Sequence, residues 1–171
     1  MPTPAYLHIE GENQGLITEG ANSMASMGNR YQEEHVDEIT VQAFDHCITV
    51  PRDPQSGQPS GQRVHEALVI TKIFDQTSPK LFAALTSGER LPTMKLKWYR
   101  TSMTGQQEHY FTHEIIDAMI VDIKTIMPNA QDPEMAHFTH SEEISFTYRK
   151  ITWTHEVAGT SGSDDWRVPI A

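Results

Sequence analysis

The chain of 171 residues has 13 Lys and Arg residues against 23 Asp and Glu residues, which gives a formal net charge of −10 at pH 7. This acidic balance argues against nucleic acid as the main partner, because phosphate binding requires clustered positive charge. The length and the 37% share of hydrophobic residues predict one domain with a modest core, and the lone cysteine, Cys47, excludes an internal disulfide.

Alternation of apolar and polar residues predicts β-strands through most of the chain. The predicted strands are residues 5–9, 38–50, 64–74, 94–98, 108–127 and 144–153. In the second strand, Ile39, Val41 and Ala43 are expected on one face. In the last, the alternation changes phase at Arg149 and Lys150, which predicts a β-bulge. Several such strands separated by turns favour a β-barrel or a β-sandwich.

One α-helix is predicted between the third and fourth strands, at about residues 78–87. Ser78 is a suitable N-cap, Pro79 fits the first helical position, and Gly88 fits the left-handed position that ends a helix. Because a helix of this length is unstable alone in water, its apolar stripe is expected to pack on the strands. That stripe consists of Leu81, Phe82 and Leu85.

Two stretches are predicted to be long loops. Residues 11–37 show weak patterning, and residues 51–63 contain three Pro, two Gly and no aliphatic side chain. Long loops are usually functional or disordered. The second is therefore interpreted either as a mobile surface loop or as a docking segment for another chain. Its candidate contact residues are Arg52, Asp53, Pro54, Gln55, Gln58 and Arg63.

Two of the predicted strands are apolar on both faces, at residues 64–74 and 115–127. A small barrel needs an apolar interior but a polar exterior, and one helix covers only part of its outer surface. We expect either more of the chain or a second copy of the protein to cover the rest.

Histidine spacing does not predict a metal site. His109 and His113 are four residues apart, and His137 and His140 are three apart, but both pairs lie in segments with strand character. Neither pair is accompanied by the His-x-His or paired-cysteine spacing typical of zinc sites.

The sequence contains no recognisable catalytic motif either. Residues 159–163 lack the second glycine of a nucleophile elbow, and Asp164, Asp165 and Trp166 are expected to continue as a turn. Cys47 lies in a strand pattern without an activating partner and is expected to be a buried, inert thiol. We therefore expect no enzymatic activity, no metal and no other cofactor.

Four stretches closely resemble the hemolysin-coregulated protein (Hcp) family, which forms the tube of the bacterial type VI secretion system. They are Pro51–Arg63, Ala84–Leu91, Trp98–Ser102 and Phe146–Trp166. The resemblance implies a two-sheet β-barrel with one short flanking helix at about 78–87, spanning residues 1–171 as a single domain. It also implies an extended loop at about 51–63 that reaches towards neighbouring subunits.

The same resemblance implies an assembly. Six copies would form a ring, rings would stack into a hollow tube, and effector proteins would travel inside the ring. A contracting sheath would drive the tube and its spike into a neighbouring cell, a role in virulence and interbacterial competition. Some relatives carry a toxin domain after the barrel. Because this chain ends at Ala171, the resemblance gives no reason to expect an enzyme.

The expected route is assembly in the bacterial cytoplasm followed by secretion without a signal peptide. The N-terminus from Met1 to Tyr6 has neither a basic patch nor an apolar stretch, and no segment is long and apolar enough to enter a membrane. A second interpretation remains, that of a carbohydrate-binding β-barrel that stacks sugars on Trp98, Trp153 or Trp166.

Overall fold

The computed structural model describes residues 3–169, so Met1, Pro2, Ile170 and Ala171 lie outside the described residues. Met1 and Pro2 belong to the N-terminus in which no signal peptide is predicted. Its strands are β1 (Ala5–Gly11), β2 (Gly15–Leu16), β3 (Ile39–Val41), β4 (Ala43–Asp45), β5 (Ile48–Thr49), β6 (Val64–His65), β7 (Leu68–Ile73), β8 (Leu91–Thr101), β9 (Gln107–Ile126), β10 (Ser141–Thr147), β11 (Lys150–His155) and β12 (Thr160–Asp165). Its α-helices are α1 (Met24–Met27) and α2 (Ser78–Ser87), and short 3₁₀ turns lie at Gly28–Arg30, Glu33–His35 and Pro133–Met135.

The strands form a barrel of two antiparallel sheets that meet at two corners. Sheet A has the order β3-β1-β8-β9-β11-β12, with β2 beside one end of β1, and sheet B has the order β9-β10-β7-β4. One corner is β9, which belongs to both sheets. The other is the segment from β3 to β4, where the Gln42 amide donates to the Thr71 carbonyl at 2.8 Å. This second corner closes the barrel, because β3 pairs with β1 and β4 pairs with β7.

The long strand β9 changes sheet near its middle. Residues 111–116 pair with β11, whereas residues 119–126 pair with β10. Between them, Asp117 has a φ of 54°, in the left-handed region that Asp tolerates better than most residues. The Asp117 carboxylate accepts from Arg149 Nη1 at 3.2 Å and forms an ion pair with Arg90, whose Nη1 lies 3.0 Å from Asp117 Oδ1.

The hydrophobic core fills the space between the sheets and extends under α2. In β10 the inward residues alternate with outward ones, as expected for a strand with one solvent-facing side. The larger core side chains are Leu7, Ile9, Ile17, Ile39, Leu68, Ile70, Leu81, Leu91, Met94, Leu96, Ile115, Ile144, Phe146 and Ile151. The described part of the chain contains no helix with the length and apolarity needed to cross a membrane.

Helix α2 has the predicted bounds but a different start. Its N-cap is Thr77, while the Ser78 hydroxyl donates to Glu142 Oε1 at 2.7 Å. At its end, Gly88 has a φ of 68°, as the sequence predicted. The prediction of Ser78 as N-cap is thus wrong because its side chain bonds across to β10.

The apolar stripe of α2 also differs by one position. Leu81 and Ala84 are fully buried and Leu85 packs against the core, but Phe82 is exposed. The helix is therefore rotated about its own axis relative to the predicted orientation, so that the small Ala84 faces the barrel and Phe82 faces outward.

A buried ion-pair cluster connects sheet B to the start of α2. Lys72 is fully buried, and its Nζ lies 2.5 Å from Glu142 Oε1 and 3.0 Å from Asp75 Oδ1. It also donates to the Ser78 hydroxyl at 3.0 Å. An apolar pattern on both faces of residues 64–74 thus conceals a lysine on the inner face of the barrel.

The strand predicted at 38–50 is three short strands. Ile39 and Val41 are buried in sheet A as expected, but Ala43 is exposed and Phe44 turns towards the core. The grouping of Ala43 with the buried face is wrong because the chain passes from one sheet to the other at Gln42. Cys47 follows in the next connection and is exposed, which corrects the prediction of a buried thiol.

The expected β-bulge at Arg149 and Lys150 is likewise a change of sheet, from β10 in sheet B to β11 in sheet A. The register irregularity lies earlier, between Ser145 and Phe146. Asp164 and Asp165, expected in a turn, belong to β12. Within residues 11–37, the weak patterning conceals core contacts, since Ile17 and Ala21 are buried.

Candidate functional site

The predicted docking segment lies on a projecting hairpin of residues 48–65, which we call the arm. β5 and β6 form its stem, and Arg52 and Pro59 make a further bridge beyond them. Every residue from 51 to 62 is exposed. The segment therefore combines full exposure with regular hairpin geometry.

Local hydrogen bonds hold the tip of the arm in one conformation. The Asp53 amide donates to the Gln58 carbonyl at 2.9 Å, and the Gly57 amide donates to the Asp53 carbonyl at 2.8 Å. Gly57 has a φ of 74°, which glycine adopts without strain. The pKa of the Asp53 carboxyl is lowered by hydrogen bonds from the Gln55 amide and Ser56. A pre-ordered tip loses less conformational entropy on docking than a flexible one.

The base of the arm is fixed by a two-point ion pair. Arg63 Nε and Nη2 donate to the two carboxylate oxygens of Asp164 at 2.8 and 2.9 Å, and Nη2 also reaches the carbonyls of Asp165 and Val168. This planar pairing is the geometry in which Arg binds carboxylate most strongly. The hydrogen bond from Arg63, with a further one from His65, holds the pKa of Asp164 below its usual range.

Three further side chains extend this contact into the barrel. His65 Nε2 lies 2.6 Å from Asp164 Oδ2, and His65 Nδ1 lies 2.6 Å from the Tyr148 hydroxyl. On its other side, the Tyr148 hydroxyl lies 2.8 Å from His46 Nε2. The His65 side chain is fully buried. Burial lowers the pKa of His46, with a second contribution from His65, and burial raises the pKa of Tyr148.

A groove of about 590 Å³ lies at the opposite end of sheet B. Its floor is the outer face of the sheet, including Thr71 and Glu143, and its wall is the connection 127–140 between β9 and β10. The apolar part of the wall consists of Ile126, Pro128, Met135 and Phe138. Because β7 starts beside the arm and ends beside this connection, the arm and the wall of the groove are separated by the length of that strand, about 20 Å, while the floor of the groove reaches Thr71 in the middle of β7.

Strands with apolar residues on both faces leave several large side chains exposed in the single chain. Met119 and Val121 of β9, together with Phe74, Met127 and Phe138 near the groove, are each at least 39% exposed. That a second copy of the protein covers these side chains remains a prediction. Phe74, Met127 and Phe138 lie near one another, and clustered apolar exposure is typical of interaction surfaces.

The six predicted contact residues fall into two groups. Arg52, Asp53, Pro54, Gln55 and Gln58 are exposed on the outer part of the arm, whereas the Arg63 side chain is only 8% exposed because it pairs with Asp164.

The three tryptophans do not form a shared platform. Trp98 donates its indole N–H to His113 Nδ1 at 2.8 Å, and both Trp98 and Trp153 are partly buried against the core. Trp166 packs near His65 and Tyr148. No group of three or more His, Cys, Asp or Glu side chains within residues 3–169 is arranged to hold a metal ion.

Sequence reasoning missed both the groove and the contacts behind the arm. Tyr148 and His46 are 102 positions apart in the chain, and no local pattern indicates that they meet. The connection 127–140 did carry a signal, because Met127, Met135 and Phe138 stand in a turn-rich stretch where large apolar residues are unexpected.

A sequence model of the family described as "Type VI secretion system effector, Hcp" matches residues 6–155 of the chain. The chain is also 64% identical, over its full 171 residues and 99% of the relative, to a "Major exported protein" of Pseudomonas aeruginosa.

Solved structures give the same result. The chain is 51% identical to a crystal structure of an Hcp protein, with a TM-score of 0.92 over 97% of this chain and 99% of the other. It is 55% identical to a secreted Hcp protein of Pseudomonas aeruginosa, with a TM-score of 0.82 over 97% of this chain and 99% of the other.

Proposed function

The chain belongs to the Hcp family of the type VI secretion system, and from that membership we propose that six copies form a closed ring and that rings stack into a hollow tube. As a tube and effector protein of this family, it is exported from the cell. The observation that carries the proposal is 64% identity over all 171 residues to an exported relative. The carbohydrate-binding alternative lacks support, since Trp98 and Trp153 pack against the core.

The family's role is structural, which is consistent with the expectation that this chain has no enzymatic activity. We propose that residues 1–171 act as one barrel domain with the arm as its extended loop. Its further partners are the spike and sheath of the secretion machine and effector proteins held inside the ring. Export by this machine removes the need for a signal peptide.

The positions of the arm and the groove favour head-to-tail stacking. They lie at opposite ends of sheet B, so the arm of one ring would point at the groove of the next. Contacts between two different surfaces of the same protein are heterologous and continue without limit along an axis. In this arrangement Arg52, Asp53, Pro54, Gln55 and Gln58 make the contact, and Arg63 holds the arm in place.

Charge supports the same pairing. Arg52 is exposed on the arm, and within residues 3–169 it takes part in no ion pair. Beside its apolar wall, the groove is lined by two acidic residues, Glu143 and Asp132, and by one arginine, Arg30. We propose that Arg52 of one ring pairs with Glu143 of the next while the prolines of the arm contact the apolar wall.

Shortening the arm tests the stacking role. Replacement of residues 52–62 by a short Gly-Ser turn should leave the barrel folded and the ring intact, because Arg63 and the stem remain. Tube growth should fall sharply, as measured by electron microscopy and light scattering. Loss of the ring in this variant would assign the arm to the contacts within a ring instead.

A charge exchange tests the pairing itself. Arg52→Glu should reduce stacking, and Arg52→Glu combined with Glu143→Arg should restore it at an unchanged net charge. Lys80→Glu is the matched control, since it makes the same charge change on the flanking helix. Equal effects of Arg52→Glu and Lys80→Glu would show that total charge, and not this pair, controls stacking.

A further inference from the structure

Most methionines of this chain lie at its surface. Among residues 3–169 only Met94 is fully buried, although methionine is one of the residue types that proteins most often bury. Five others are at least 39% exposed, namely Met24, Met103, Met119, Met127 and Met135. Because a solvent-exposed thioether is accessible to oxidants, these side chains are candidates for chemical modification.

Two of the exposed methionines lie at the groove. Met127 and Met135 belong to the connection 127–140, and both line a recess of about 270 Å³ together with Phe138. Met135 also lines the groove itself, as part of its apolar wall. The exposed fraction is 68% for Met127 and 40% for Met135. One connection thus carries two oxidisable sulfur atoms at the surface that we propose receives the arm of the next ring.

Hydrogen peroxide converts an exposed thioether into a sulfoxide. The sulfur attacks one peroxide oxygen, the O–O bond breaks, an S–O bond forms, and the second oxygen leaves with both hydrogens as water. The sulfur loses two electrons and the peroxide gains them. The product is a polar side chain whose oxygen is a hydrogen-bond acceptor, in place of a flexible apolar one.

The proposed occupant of the groove offers no backbone donor where its prolines contact the wall. Pro51, Pro54 and Pro59 of the arm lack a backbone N–H. A sulfoxide oxygen covered by these residues would lose its bound water without gaining a hydrogen bond. Burial of one unpaired acceptor should weaken each contact between subunits by roughly tenfold or more.

We infer that Met127 and Met135 form an oxidation-sensitive site that controls whether the groove accepts the arm. With both sulfur atoms reduced, the wall is apolar and rings stack. With sulfoxides at these positions, the barrel keeps its fold because Met94 in the core is shielded from oxidant, but stacking is weakened. The inference rests on the proposed function only for this effect on stacking, since oxidation is a property of the unstacked protein.

Peptide mass spectrometry after treatment with dilute hydrogen peroxide measures oxidation at each methionine of the unstacked protein. Met127 and Met135 should oxidise at rates close to that of Met103, which is fully exposed in the turn between β8 and β9. Met94 should oxidise at least roughly tenfold more slowly, because susceptibility follows exposure. Protection of Met127 and Met135 equal to that of Met94 would overturn the inference.

Leucine substitutions separate this site from other oxidation. Met127→Leu combined with Met135→Leu keeps an apolar wall of similar volume that cannot be oxidised. The matched control is Met103→Leu combined with Met119→Leu, which removes two exposed methionines outside the groove. Both double variants keep Cys47, so oxidation of that exposed thiol affects them alike.

Light scattering of the treated proteins gives the effect on stacking. The groove variant should stack like untreated wild type. Oxidised wild type and the oxidised control should need a roughly tenfold higher protein concentration for the same degree of stacking. Equal sensitivity of the two double variants to peroxide would overturn the inference.

Reduction of the sulfoxides distinguishes this modification from general damage. Methionine sulfoxide reductases for both sulfoxide epimers, supplied with a dithiol, should restore stacking of oxidised wild type. Stacking that stays weak after complete reduction would contradict the inference. If peroxide leaves stacking unchanged while Arg52→Glu reduces it, the inference fails and the proposed function stands. If shortening the arm has no effect on stacking, the proposed role of the arm fails whatever peroxide does.

Discussion

His113 occupies a position where a charged imidazole is costly. Its Nδ1 accepts the indole N–H of Trp98 at 2.8 Å, and its ring lies between Phe44 and Phe111, with centroids 5.3 Å from each. Burial, with a smaller effect of His46, lowers the pKa of His113 from 6.5 to about 4. Protonation at Nδ1 would also break the bond from Trp98, so the neutral form belongs to the folded barrel.

This pKa predicts a loss of stability in mild acid. The unfolded chain binds the proton near pH 6.5 and the folded chain only near pH 4, so the contribution is complete above 6.5 and is lost as pH falls between these values. The loss should reach up to about 3 kcal/mol. His113→Gln keeps an acceptor for Trp98 but cannot titrate, and urea unfolding should show a flatter pH dependence. The exposed His137→Gln should keep the wild-type slope. An unaltered slope in His113→Gln would refute the assignment.

At the scale of elements, β9 connects the two sheets, and Asp117 sits at the point of change. A β-branched residue held at this φ of 54° would carry backbone strain of the order of 1–3 kcal/mol. The ion pairs of Asp117 with Arg90 and Arg149 contribute less, because both arginines are at least 38% exposed.

Two substitutions at Asp117 separate backbone from charge. Asp117→Asn, which tolerates the left-handed region, should lower the free energy of unfolding by about 1 kcal/mol or less. Asp117→Val should lower it by about 2 kcal/mol more, because its branched side chain resists this φ. Chemical denaturation of both variants measures the difference. Equal losses would mean that the ion pairs, and not the backbone, set the cost.

Alternation in the sequence predicted the extent of several strands well, but not the points where the chain passes between sheets. β1, β9 and the bounds of α2 lie close to the predicted ranges, and within the Pro- and Gly-rich stretch 51–63 residues 51–62 are exposed on the arm. Alternation reports which face a side chain takes but not which strand lies beside it. The changes of sheet at Gln42 and between β10 and β11 were therefore missed or taken for a bulge.

Contacts between distant residues limited the prediction of the site. The composition of residues 51–63 indicated a docking segment, but the network behind it joins the base of the arm to β12 and to Tyr148, between β10 and β11. Its hydrogen bonds span separations of 83 to 102 residues. Lys72 was hidden for a related reason, since its partner Glu142 comes from another strand. A buried charge in an apolar stretch looks like an outward residue until its partner is known.

At the scale of the whole molecule, local attraction and overall charge act against each other when rings meet. Each subunit offers an exposed apolar surface near the groove and one proposed pair between Arg52 and Glu143. An exposed pair of this kind contributes about 1 kcal/mol or less. Each subunit also carries a formal net charge of −10, and the proposed ring of six would carry six times that charge.

This balance predicts that salt promotes stacking. Rings of like charge repel over a Debye length of about 8–10 Å near physiological ionic strength, and over about 30 Å at 0.01 M. Added salt screens this repulsion but leaves the apolar contacts of the groove intact, so isolated rings should dominate at low ionic strength and tubes should lengthen as it rises. Light scattering and negative-stain microscopy across this range measure the two populations. Tubes that persist unchanged at very low salt would mean that specific contacts outweigh the net charge. In that case the apolar wall of the groove, and Phe138 within it, would be the next position to substitute.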